Sequence, residues 1–139
     1  MINELDIILE TASKIFSKYI THELRYDFND NPSLMKLWTD IEEQGLTKII
    51  VKEDFLGSAL PFTSILPVIQ MSAKMGVPLP FTETVICNYL FSELNLEPPT
   101  GMITFALDTQ NIKITNNKIS GNLLSVPYLN LTNKIILVQ

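Results

Sequence analysis

The tract NLEPPTG, residues 95–101, separates two kinds of hydrophobic spacing. Before it, apolar residues recur every three or four positions. After it, they alternate with polar ones. Side chains of a helix return to one face about every 3.6 residues and those of a strand every second residue, so one pattern does not serve both. Residues 1–97 therefore read as a helical module and residues 98–139 as a β-domain. Helices followed only by strands define an α+β chain with segregated parts.

Four helices are predicted. Leu5, Ile8, Leu9, Ala12, Ile15, Phe16 and Tyr19 share one face of a helix over 5–20. After a polar link over 21–31, Asn31-Pro32 reads as a cap followed by proline at the first helical position. Leu34, Leu37, Trp38 and Ile41 form the buried stripe of this second helix, over 32–44, and Gly45 ends it. A third helix spans 65–75, with Ser64 as its cap and Pro67 in the first turn, where an N–H has no intrahelical acceptor anyway. Val68, Met71, Ser72 and Met75 carry its stripe, and Gly76 ends it. Thr82 caps a fourth helix over 83–94, with Val85, Ile86, Tyr89, Leu90 and Leu94 on its buried side. In the second half, MITFAL, LLSV and KIILVQ read as strands, and NIKITNNKIS as a hairpin turning at Asn116-Asn117, since asparagine tolerates positive φ.

Composition narrows the function. Net charge is −5 with Lys and Arg scattered, so no basic stripe points to nucleic acid. No apolar run is long enough to span a bilayer, and the acidic start MINELDIILE does not read as a secretory signal. A single cysteine, Cys87, forms no internal disulfide and suits a reducing cytoplasm, the expected location. One histidine, His22, and one cysteine far apart make no metal site. The five glycines are isolated, so no phosphate-binding loop is present. His22 reads as a solvated surface residue, Cys87 and Trp38 as core, and Glu42-Glu43 as a solvated face. Glu53-Asp54, in VKEDFLGSAL, read as loop chemistry or a cap, and Gly57 of the same segment is expected to turn the chain with positive φ. No residue is assigned as catalytic.

The order of blocks carries a further signal. EQGLTKIIVKEDFLGSAL and QMSAKMGVPLPFTET, followed by NKISGNLLSVPYLNLTNKIILVQ, resemble the N-terminal region of the acyl-CoA dehydrogenases from about Asp6 onward. Within the family's pattern, Leu46 stands for a usual tryptophan, Lys52 for a proline, Ser58 for a glycine and Asn133 for an aspartate. The resemblance implies an N-terminal four-helix module followed by an incomplete antiparallel β-domain. It also implies FAD as cofactor and oxidation of the α,β bond of an acyl-CoA thioester, with a glutamate base and much of the flavin site on a C-terminal bundle that this sequence lacks. The chain alone is then inactive and holds FAD weakly. The expected partners are an acyl-CoA or acyl carrier thioester and a second protein chain or a further copy, with no nucleic acid and no membrane span. FALDTQ places Leu107 and Asp108 at the flavin edge, Asp108 standing for a threonine, and Pro127 stands for another threonine of the family. Proline offers neither hydroxyl nor N–H to the flavin. Two other readings stay open: a non-catalytic relative that binds an acyl thioester or a partner enzyme, and an unrelated α+β interaction module.

Overall fold

A computed structural model of the chain describes residues 3–26, 32–107 and 109–138, with backbone alone at 25 and 26. The fold is mixed α+β, with helices first and short strands after. Helix α1, Glu4–Tyr19, starts at Asn3, whose side chain accepts the Asp6 N–H while the Asp6 carboxylate accepts the Asn3 N–H. This reciprocal cap satisfies two donors that a helix start leaves open. The segment read as a polar link holds a short helix, α2, His22–Tyr26; the Thr21 hydroxyl accepts the Leu24 N–H at 3.2 Å, and Leu24 is buried. Its polar composition hid this turn, since a single buried leucine sets no period. The expected cap Asn31 lies outside the described residues.

Helix α3, Pro32–Glu43, buries the expected Leu34, Leu37, Trp38 and Ile41 and is followed by Gly45 in the left-handed region at φ 68°. Asp40 on α3 accepts hydrogen bonds from both Lys18 and Tyr19, tying α1 to α3. Helix α4, Leu66–Met75, has its cap at Ile65 rather than Ser64, because a 3-10 turn over Phe62–Ile65 leads straight into it; Pro67 is thus second, not third. Gly76 ends it at φ 70°, as expected. Helix α5, Phe81–Glu93, begins directly after Pro80, which places Thr82 inside the first turn rather than at the cap.

The four strands are β1, Ile103–Ala106; β2, Ile112–Thr115; β3, Lys118–Gly121; and β4, Lys134–Leu137. β2 and β3 form the expected antiparallel hairpin, with Asn116 and Asn117 at φ 50° and 59°. Two positive φ values match the right-handed twist of the flanking strands. β1 and β4, however, pair in parallel, Ile103 opposite Lys134 and Ala106 opposite Leu137. The expectation of an antiparallel domain is thus correct for the hairpin alone. A parallel pair needs a long return connection, and residues 107–133 provide it. LLSV forms no strand: at Ser125 the backbone turns to φ 55°, and Pro127 follows.

The core lies where α1, α3, α4 and α5 meet. Phe16 and Phe81 pack edge to face with centroids 5.8 Å apart, and Ala12, Leu37, Ile41, Val68 and Val85 are sealed around them. Among the described residues no helix is long and apolar enough to cross a membrane.

The fourth predicted stripe needs correction. Val85 is buried as expected and Ile86 and Tyr89 are half-buried, but Leu90 and Leu94 are exposed, and α5 also buries Phe81, Thr84, Cys87, Asn88 and Ser92. Thr84, Asn88 and Ser92 stand four residues apart, on one helix face. Each holds backbone from a different segment. The Thr84 hydroxyl donates to the Ile103 carbonyl at 3.1 Å and accepts the Ile103 N–H at 3.0 Å. The Asn88 amide donates to the Thr47 carbonyl at 3.2 Å, and the Ser92 hydroxyl accepts the Lys52 N–H at 3.1 Å. Buried backbone groups must find partners, and here side chains supply them.

Candidate functional site

The VKEDFLGSAL segment is bonded back upon its own approach. Ser58 N–H donates to Lys48 O, Ala59 N–H to Val51 O and Leu60 N–H to Ile49 O, at 3.1, 2.8 and 3.1 Å. Glu53 and Asp54 form part of a 3-10 turn over Glu53–Phe55, with both side chains exposed. Gly57 does not have positive φ; that conformation falls on Leu56 and Ala59, at 61° and 49°. Glycine is needed at 57 for space, since a Cβ there would overlap the Val51 carbonyl. The fold leaves this segment as scaffold, anchored to α5 through Lys52.

Of the three residues expected at a flavin edge, Leu107 and Pro127 come together. β1 delivers Leu107 beyond its C-terminal end. The Thr104 hydroxyl of the same strand donates to the Pro127 carbonyl at 2.7 Å, which pins the following loop against it. Phe105, Leu107, Leu124, Ser125 and Pro127 line one cleft of about 290 Å³. Its wall is almost wholly apolar, and Leu107 is 71% exposed. Asp108 lies outside the described residues.

The groups able to do acid–base or nucleophilic work lie elsewhere. Burial raises the pKa of Glu83, on the first turn of α5. Burial, with the Glu83 charge second, pushes the Cys87 thiol up to about 11 and also raises Tyr128. A thiol held protonated is a poor nucleophile, in keeping with Cys87 as a core residue. Trp38 is core as well, 3% exposed. His22 sits on α2. Glu42 is exposed, as expected of a solvated face, yet its Oε1 accepts the Gly101 N–H at 3.0 Å and so clasps α3 to the start of the β part. Among the described residues no group of three or more His, Cys, Asp or Glu could hold a metal ion.

A second cavity, of about 580 Å³, opens at the other end of the β1–β4 pair, between α3 and the residues that lead into the two strands. Sequence reasoning missed it, because its walls come from residues 35–42, 100–102 and 130–134, which no local pattern brings together. Set against known proteins, the chain matches no family model, no curated protein and no solved structure.

Proposed function

We propose that this chain is the N-terminal part of an FAD-dependent oxidoreductase of the acyl-CoA dehydrogenase kind. It would act on the α,β bond of an acyl thioester once a C-terminal four-helix bundle joins it, from another chain or from further along the same protein. The observation that supports this reading is the meeting of Leu107 and Pro127 in one apolar cleft. They are far apart in sequence, and the resemblance singles out both as flavin-edge positions.

The fit to the cofactor is to an edge alone. Ligand pockets usually run from about 300 to 1,000 Å³, so a cleft of about 290 Å³ takes one side of a ring system and not a dinucleotide. Among the described residues its lining includes no cation for a pyrophosphate and no carboxylate for a base. Bound flavin would supply hydride acceptance. Phe105, Leu107 and Pro127 would shape and dry the ring edge. Pro127 has no N–H, and its carbonyl is engaged by Thr104, so it contributes surface rather than a hydrogen bond. A base must lie within hydrogen-bond reach of the proton it removes, and the bundle would bring it.

The same lack of donors favours a second reading, a non-catalytic subunit that binds an acyl thioester or a partner enzyme. The test is a flavin titration of the purified chain, alone and with a separately expressed C-terminal bundle of the family, followed by turnover with a dye acceptor and acyl-CoA thioesters. Stoichiometric flavin and turnover in the mixture alone supports the catalytic reading. Thioester binding without flavin in any mixture selects the non-catalytic one. Tight flavin in the lone chain overturns the division of labour proposed here.

A further inference from the structure

The backbone of VKEDFLGSAL is scaffold, yet one of its side chains is left out of the core. Leu56 is 86% exposed and holds a left-handed backbone at φ 61°, a conformation that a side chain disfavours. The turn around it is fixed from both sides. Leu56 N–H donates to Glu53 O, Gly57 N–H to Lys52 O and the Lys48 ammonium to Phe55 O, at 2.9, 3.2 and 3.3 Å. A leucine displayed on a bonded turn has little backbone freedom left to lose when something covers it. Leu56 stands where two clefts meet, of about 460 and 320 Å³, since it and Lys48 line both. Glu42 and Glu43 stand on the first cleft, Asp54 and Glu97 on the second, and all four are exposed. Among the described residues none of the four is in an ion pair. Glu42 Oε1 accepts the Gly101 N–H, and the carboxylate keeps its charge. Among the described residues Lys48 is the one cation on either lining, so four carboxylates are set against a single ammonium around an apolar ridge.

We infer that this ridge docks a cationic amphipathic helix of a partner protein. Leu56 enters between apolar side chains spaced three and four residues apart on that helix, as a knob enters a hole. Lysines or arginines flanking the apolar stripe meet Glu42 and Glu43 on one side and Asp54 and Glu97 on the other. Charge complementarity sets the sign of the partner and steers its approach. It also counts against a second copy of this chain, whose net charge is −5. An extended segment would need open backbone groups to pair with, and the N–H groups of residues 56–60 are already bonded within the loop and its approach. The ridge shares no residue with the Leu107–Pro127 cleft, and the inference does not rest on the flavin reading.

The experiment reads fluorescence anisotropy of a short labelled peptide of leucine and lysine, patterned as an amphipathic helix, as the chain is added. One control peptide scrambles the same residues, and another carries glutamate in place of lysine. The patterned peptide should bind saturably and one to one. The scrambled peptide should bind about tenfold more weakly, for want of an apolar stripe, and the glutamate peptide not at all. Leu56→Ser should weaken the patterned peptide about tenfold, the loss of one buried leucine contact. Because Leu56 is exposed, that variant should keep the parent's thermal midpoint. Asp54→Asn with Glu97→Gln should weaken binding severalfold and flatten its dependence on salt. Glu4→Gln, on α1 and on neither cleft, should leave binding unchanged. Equal binding of the patterned and scrambled peptides, full-strength binding by Leu56→Ser, or an equal loss in Glu4→Gln overturns the inference. So does a dimer of the chain that Leu56→Ser dissolves, which would make a second copy the occupant.

Discussion

A methyl group at position 57 would have nowhere to go, because it meets the Val51 backbone, which also accepts the Ala59 N–H. Gly57→Ala should therefore destabilise the chain by about 1–3 kcal/mol, the usual cost of forcing atoms into a packed site. Urea denaturation measures it, and an unchanged midpoint would show that the loop gives way freely. Glu83 presents the opposite case, a carboxyl group disfavoured by its surroundings. Its pKa is raised by burial. A raised carboxyl pKa leaves stability intact while both folded and unfolded states are protonated, and takes it away as pH climbs from the unfolded value, about 4.3, through the higher folded one. Glu83→Gln should therefore raise Tm at neutral pH, and the gain should vanish below about pH 4. A gain that persists in acid would place the effect in packing rather than charge.

At the scale of elements, α5 acts as a fastener. The Thr84 hydroxyl occupies both the N–H and the C=O of Ile103, taking the place that a neighbouring strand would fill on that edge of β1. Thr84→Val keeps the shape and strips both bonds. Leaving two buried backbone groups open should cost about 2–4 kcal/mol, and the Ile103 amide should exchange with solvent faster than its neighbours. Equal exchange would mean that the clamp is incidental. This helix also shows where the sequence was legible and where it was not. α1, α3 and α4 bury apolar stripes at helical spacing, so their period could be read directly. On α5 the inward side carries Thr84, Asn88 and Ser92, and a hydropathy reading sends such residues outward. Gly45 and Gly76 were readable because helix ends favour left-handed glycine. Gly57 was not, since its requirement is a neighbour distant in sequence. Strand direction escaped for a similar reason: the alternation in KIILVQ says which residues share a face and nothing about which way the partner runs. For the candidate site, Leu107 and Pro127 could be singled out only through the resemblance, and the wall that joins them depends on the Thr104–Pro127 bond.

For the molecule as a whole, the uneven distribution of apolar surface matters most. The buried core lies mostly in the helical part, though Leu56 and Leu94 are exposed there, whereas the hairpin places Ile114 opposite Ile119, both more than half exposed. Leu124 and Leu129 are exposed nearby in sequence, and among the described residues β4 has β1 as its only strand neighbour. An open strand edge with apolar residues invites pairing with another chain. The purified chain should therefore self-associate as concentration rises, by light scattering, and Ile114→Lys with Ile119→Glu should reduce the effect. A monomer at high concentration would show that the edge is protected by its own twist and charge.

The parallel pairing of β1 with β4 also orders events in time. β1 can dock on α5 through Thr84 as soon as the helices collapse, because the two are close in sequence. β4 must wait until residues 107–133 have looped around, and closing a long loop costs entropy before any ladder bond repays it. A refolding chain is thus expected to complete its helical half before the ladder forms, with a stage at which the first strand is bare. At that stage the face meant for Lys134–Leu137 is open to whatever extended segment arrives first.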